Sequence, residues 1–146
     1  MDGLVGAIGS AVTFGWKVHG RFKDLGKTAK KLDEDIKTLT EQLETAQSFV
    51  EVNPENLGPK LQQRLRNARA GCQKAFEMAN QCVTDYRSDW YRFKGAVISD
   101  DEIETLRQVL RDCTTELGVF NVDSNLYVHA SDRTRLLKAN ARPAEK

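Results

Sequence analysis

The sequence predicts an all-α fold: an antiparallel four-helix bundle with a glycine-rich apolar N-terminal helix and a short C-terminal extension. Three observations carry this expectation. Apolar residues recur at three- and four-residue steps over three long stretches, which is the period of a helix face. No stretch alternates apolar and polar residues as a half-buried strand would. The breaks between stretches are short and hold Pro, Gly or a capping sequence, as in packed helices with short connections. The 146 residues suit one domain. Helices are expected at about 3–22, 28–52, 59–85 and 100–117, placing the bundle at 1–118. Residues 119–146 are then a C-terminal extension or the start of a linker to a further domain.

The first helix is the least ordinary. Residues 3–16 (GLVGAIGSAVTFGW) carry no charge and no proline. Gly3, Ala7, Ala11 and Gly15 recur every four residues, and such spacing makes a smooth face that a second backbone can approach. The large residues Leu4, Val5, Ile8, Val12, Phe14 and Trp16 cover much of the rest, with no charged face of the kind soluble bundle helices show. Fourteen residues give about 21 Å of helix, short of a hydrocarbon core of ~30 Å. A secretory leader is not expected, because only Asp2 precedes the apolar run and basic residues should. Asp2 also stands where N-myristoylation requires glycine. The segment is expected to pack in a core, lie on a membrane or insert as part of an oligomer.

The charge balance is close to even, 22 basic against 21 acidic residues for a net +1, so nothing global points to nucleic acid. The first 31 residues are different. They hold Lys17, Arg21, Lys23, Lys27, Lys30 and Lys31 against only Asp2 and Asp24. Lysines directly after an apolar run suit anionic lipid headgroups; a solubilising cluster at a helix end fits the order equally well.

The second helix places Leu32, Ile36, Leu39, Leu43, Ala46 and Val50 on one seam, with Lys and Glu elsewhere. Asn53-Pro54 ends it, since proline disfavours helical geometry in the residue before it. Pro59 suits the first turn of the third helix, whose seam is Leu61, Leu65, Ala68, Cys72, Ala75, Phe76, Ala79 and Val83. Gly71 within it costs about 1 kcal/mol relative to Ala, which suggests a close neighbour or a bend. Tyr86–Gly95 interleaves aromatic and basic residues. Headgroup anchoring, single-strand stacking and a plug at the bundle end all fit it; nothing else in the chain supports nucleic acid. Ser99 and Glu102 form a capping box before a fourth seam of Ile103, Leu106, Val109, Leu110, Cys113 and Leu117, with Gly118 as the expected stop. Ser131-Asp132 could cap one more short helix, and 142–146 reads as a tail.

Cys72, Cys82 and Cys113 form no CxxC pair and read as reduced thiols, Cys72 and Cys113 with a core role. The chain contains no Walker loop, GxGxxG, HExxH or GxSxG. His19 and His129 have no convincing partners. No enzyme activity, cofactor or metal is expected.

The order of these features resembles the HeLo-type four-helix-bundle superfamily of cell-death domains. Leu4–Gly15 (LVGAIGSAVTFG) is similar to the glycine-rich opening helix of the coiled-coil N-terminal domain of plant helper-type NLR immune receptors. Trp90–Lys94 is similar to the junction between their third and fourth helices. The executioner bundle of mixed-lineage kinase domain-like proteins shares the same plan. The resemblance implies a cytoplasmic domain that moves to the plasma membrane on activation, self-associates, and inserts or presses its first helix into anionic lipid to permeabilise it. It also implies a nucleotide-binding or kinase-like domain further along the same protein. Some plant relatives carry a pore-lining acid in the first helix; residues 3–16 contain none, and Asp2 is the single candidate. The competing expectation is a helical scaffold whose seams at 32–50 and 61–83 bind partner helices. A Glu at Ile8 or Val12 is expected to abolish membrane action while sparing such a scaffold.

Overall fold

The computed structural model describes residues 2–23, 29–52, 57–92 and 100–141, with side chains at 3–22, 29–52, 57–85 and 101–125. The described residues are helical apart from two short flanking stretches. Four helices follow in order: α1 (Asp2–Lys23), α2 (Lys30–Val52), α3 (Pro59–Arg92) and α4 (Asp100–Ala141).

The periodic seams become the core. On α2 the six expected residues are all buried, joined by Thr40. On α3, Leu65 through Val83 are buried as spaced, with Leu61 packed at the edge. The start of α3 is held by Gly58, whose carbonyl accepts the Gln62 amide at 3.0 Å, while the Gln62 side chain donates to the Leu57 carbonyl at 2.8 Å. Pro59 has no amide to leave unpaired there.

The expected stop of the fourth helix at Gly118 is overturned: α4 runs through it to Ala141. Beyond the glycine, Phe120, Asn121 and Ser124 continue the inward face. Phe120 meets Phe49 edge-on at 6.5 Å, and Asn121 donates to the Gln42 carbonyl and to its side-chain oxygen. Those contacts outweigh the ~1 kcal/mol propensity cost of one internal glycine. α3 likewise runs to Arg92 rather than to 85, so the aromatic stretch begins inside a helix. Its side chains, the Ser99 cap and the 142–146 tail lie outside the described residues.

The helices close a four-sided bundle in which α1 packs on α2 and α3, and α4 packs on the same two. α2 and α3 barely meet. Along α1 and α2 the facing residues run in opposite senses, Gly9 beside Gln47, Gly15 beside Thr40 and His19 beside Asp33. They also do so along α3 and α4, with Arg64 beside Asp123 and Gly71 beside Cys113. Along α1 and α3 they rise together, from Phe14 with Phe76 to Arg21 with Thr84. α2 and α4 behave the same way, from Asp35 with Arg107 to Gln42 with Asn121.

Candidate functional site

An uncharged helix can sit in a bundle only if its apolar residues have somewhere to go, and α1 uses the groove between α2 and α3. Leu4, Ile8, Ala11, Val12, Val18 and Phe22 are buried, and Val5, Phe14 and Trp16 are partly buried against the same core. All six residues considered for membrane insertion therefore pack within the bundle in this state.

The four-residue stripe of small residues does not stay on one side. A step of four residues overshoots a full turn by about 40°, so the stripe winds from the surface into the core. Gly3 is exposed, with nothing within 4 Å of where a methyl would stand, Ala7 is half-buried, and Ala11 is fully buried. At Gly15 a Cβ would lie 2.5 Å from Thr40 Oγ1 and 2.8 Å from Phe76 Cζ. Gly15 is where α1 comes closest to both neighbours, and neither Ala11 nor Gly15 is open to a second copy here. The solvent side is instead Gly3, Gly6, Ser10, Thr13, Lys17 and Gly20, at alternating steps of three and four. A shallow groove runs beside it between Gly6, Ser10, Thr13 and Gln47.

The polar ties of α1 are confined to its C-terminal half. Among the described residues, its hydrogen bonds and ion pairs to other helices begin at Trp16. The Trp16 indole donates to Glu44 on α2. His19 Nδ1 lies 2.5 Å from Asp33 Oδ1, with no other partner at either atom, and the imidazole stacks edge-on against Trp16 at 5.6 Å. Arg21 donates to the Asn80 side-chain oxygen and to Thr84 Oγ1 on α3. Residues 3–13 are held by apolar contact.

The residues considered for headgroups divide. Lys17, Lys30 and Lys31 are exposed, whereas Arg21 is half-buried and engaged with α3. The side chains of Asp2 and Lys23, and all of Lys27, lie outside the described residues. The seams at 32–50 and 61–83 are filled by the bundle itself, so they are not free to receive a partner helix. For the same reason a Glu at Ile8 or Val12 would break the bundle, contrary to expectation.

Among the described residues no group of His, Cys, Asp or Glu is placed to hold a metal ion, and no helix is long and apolar enough to cross a membrane. Two thiols do meet. Cys72 on α3 and Cys113 on α4 lie close enough to perturb each other's ionisation, Cys72 buried and Cys113 half-buried. The Cys113 thiol beside it, and then burial, push the Cys72 thiol far up, while the Cys72 thiol in turn lowers Cys113 from its ordinary value. Burial, then Glu102 and Asp85, raise the Cys82 thiol.

The fold and site define an all-α four-helix protein with an apolar first helix sheltered between two neighbours. No known protein-family model, curated protein or solved structure matches this chain.

Proposed function

We propose that the chain is a membrane-acting bundle of the HeLo type, antiparallel in its up-and-down sense, that releases α1 to perturb anionic membranes as a homo-oligomer. The observation that supports this reading is the uneven attachment of α1. Its uncharged half, residues 3–13, is docked by apolar burial, and its polar ties begin at Trp16.

Burying Leu4, Ile8 and Val12 is worth about 1.5–3 kcal/mol each, roughly 5–9 kcal/mol together. A bilayer offers those side chains the same gain, and the backbone keeps its hydrogen bonds in either place. Release is thus an exchange between two apolar environments. Because residues 17–23 bring charge into the helix, α1 enters an interface or a thinned bilayer rather than spanning alone. Lys17, with Lys30 and Lys31 after it, would hold headgroups, and released Ala11 and Gly15 would serve helix–helix contact. Cell-death or immune signalling from a cytoplasmic start, with a nucleotide-binding or kinase-like domain elsewhere in the protein, is the setting that the HeLo-type resemblance implies. Nucleic acid has no part in this reading.

Ser10→Glu tests it. Ser10 is exposed, so the bundle tolerates the charge, whereas a carboxylate in the apolar layer costs ~2.5–3.5 kcal/mol per copy. The variant should melt like the wild type and lose dye release from vesicles containing phosphatidylserine. Equal leakage from both proteins would remove α1 as the membrane-active element.

A further inference from the structure

The two thiols at the α3–α4 contact have no part in the function proposed above, and their placement has chemistry of its own. Cys113 Sγ lies against the α3 backbone, 3.7 Å from where a Gly71 Cβ would stand, one residue from Cys72. The two thiols lie close enough across this contact to shift each other's ionisation. Cys113 is half-buried, within reach of a small oxidant, and Cys72 is fully buried behind it. Cys82 lies ten residues from Cys72, about 15 Å along α3, and has no thiol beside it among the described residues.

We propose that Cys72 and Cys113 are a reversible redox site, oxidised by peroxide to a disulfide that staples α3 to α4. The Cys113 thiolate attacks one peroxide oxygen; an S–O bond forms, the O–O bond breaks, and the departing hydroxide takes a proton to become water. Sulfur loses two electrons and peroxide gains them, leaving Cys113 as the sulfenic acid. The Cys72 sulfur then attacks Cys113. The S–S bond forms, the S–O bond breaks, and hydroxide leaves with the Cys72 proton as a second water. Exposure fits these roles, since peroxide can reach half-buried Cys113 but not fully buried Cys72, and the neighbouring Cys72 thiol lowers Cys113 toward its thiolate. Because the staple joins α3 to α4 and leaves α1 untouched, it stands or falls independently of the membrane reading.

The test treats the reduced 146-residue chain with a few equivalents of hydrogen peroxide, blocks remaining thiols with iodoacetamide and maps the product without reduction. The expected product is monomeric, with Cys82 alkylated and tryptic peptides 70–74 and 112–133 joined at two hydrogens below their summed mass, and reverts with dithiothreitol. It should also melt at a higher temperature than the reduced chain. Cys82→Ser should leave the crosslink unchanged. Cys72→Ser should halt at a Cys113 sulfenic acid that dimedone traps. The proposal is overturned by a crosslink through Cys82, by a disulfide between chains, or by a wild-type Cys113 that dimedone labels with no crosslink formed.

Discussion

Gly15→Ala is the sharpest probe of how α1 is held. Two terms act on it. An alanine in a helix interior is favoured over glycine by about 1 kcal/mol. Against this, the new methyl would stand 2.5 Å from Thr40 Oγ1 and 2.8 Å from Phe76 Cζ. Neither neighbour gives easily: Phe76 is a fully buried ring, and buried Thr40 is fixed by its hydrogen bond to the Ile36 carbonyl at 2.7 Å. Overpacking of this kind costs about 1–3 kcal/mol, so the net effect runs from neutral to about 2 kcal/mol destabilising. At Gly6 a methyl meets nothing within 4 Å, and Gly6→Ala keeps only the favourable term. The propensity terms cancel in the comparison, leaving about 1–3 kcal/mol between the variants, or several degrees in melting temperature at this length. Urea unfolding followed by far-UV circular dichroism, with the m-value checked for constancy, measures both. Removing the clashing oxygen with Thr40→Ala should recover part of the loss, a coupling between neighbours that a double-mutant cycle isolates. Equal stabilisation by Gly15→Ala and Gly6→Ala would refute the close crossing at Gly15, and with it the docked position of α1.

Three further outcomes are expected. Arg107→Ala removes the Nε–Asp35 Oδ2 ion pair at 2.9 Å between α2 and α4, whose side chains are 13% and 18% exposed; with Arg111 3.9 Å from the same oxygen, the loss should be about 1–3 kcal/mol in urea unfolding. Ile8→Glu buries an unpaired carboxylate at a fully buried site, and circular dichroism should find the bundle unfolded or severely destabilised near neutral pH and partly recovered under acid, where the carboxyl is neutral. Alkylation by iodoacetamide, followed by mass spectrometry across pH, should label Cys113 first, because its thiolate forms below the ordinary thiol range. Cys82 and Cys72, both raised, should require more alkaline solution; labelling Cys72 first would contradict Cys113 as the reactive thiol.

Much of the fold was legible because three of the helices contrast apolar with charged residues at a clear period. Leu32, Ile36, Leu39, Leu43, Ala46 and Val50 needed no tertiary information to be placed inside. Thr40 did: it is buried because Gly15 of another helix leaves room for it. Gly118 misled for a related reason. A glycine is a local stop signal, but helix length here depends on Phe120 and Asn121 meeting residues about 70–80 positions earlier in the chain. In α1 the pattern was harder to read, since without charges its two sides differ only in size. The outward stripe Gly3, Gly6, Ser10, Thr13, Lys17 and Gly20 was nonetheless present as alternating steps of three and four, and that spacing could have marked the solvent face. The ties from Trp16 to Glu44 and from Arg21 to Asn80 span 28 and 59 residues, and no local pattern encodes them.

In the membrane reading proposed above, the division within α1 would set the order in which it leaves. Residues 3–13 lose only apolar contacts on release, and those contacts can be remade in lipid or against another copy. Residues 16–21 lose hydrogen bonds to Glu44, Asn80 and Thr84 and the contact with Asp33, which a hydrocarbon layer cannot replace. An interface with headgroups and water can replace them. In the proposed release, peeling would start at the N-terminus and pivot near Trp16, keeping the hydrogen-bonded half docked until an interface supplies its partners. The glycines on the outer side fit the same sequence of events. Gly3, Gly6 and Gly20 contribute no packing in the docked state and weaken the helix by about 1 kcal/mol each relative to alanine. Since α1 stays helical in both places of the proposed release, that propensity term cancels between them, and the outer side adds nothing to docking.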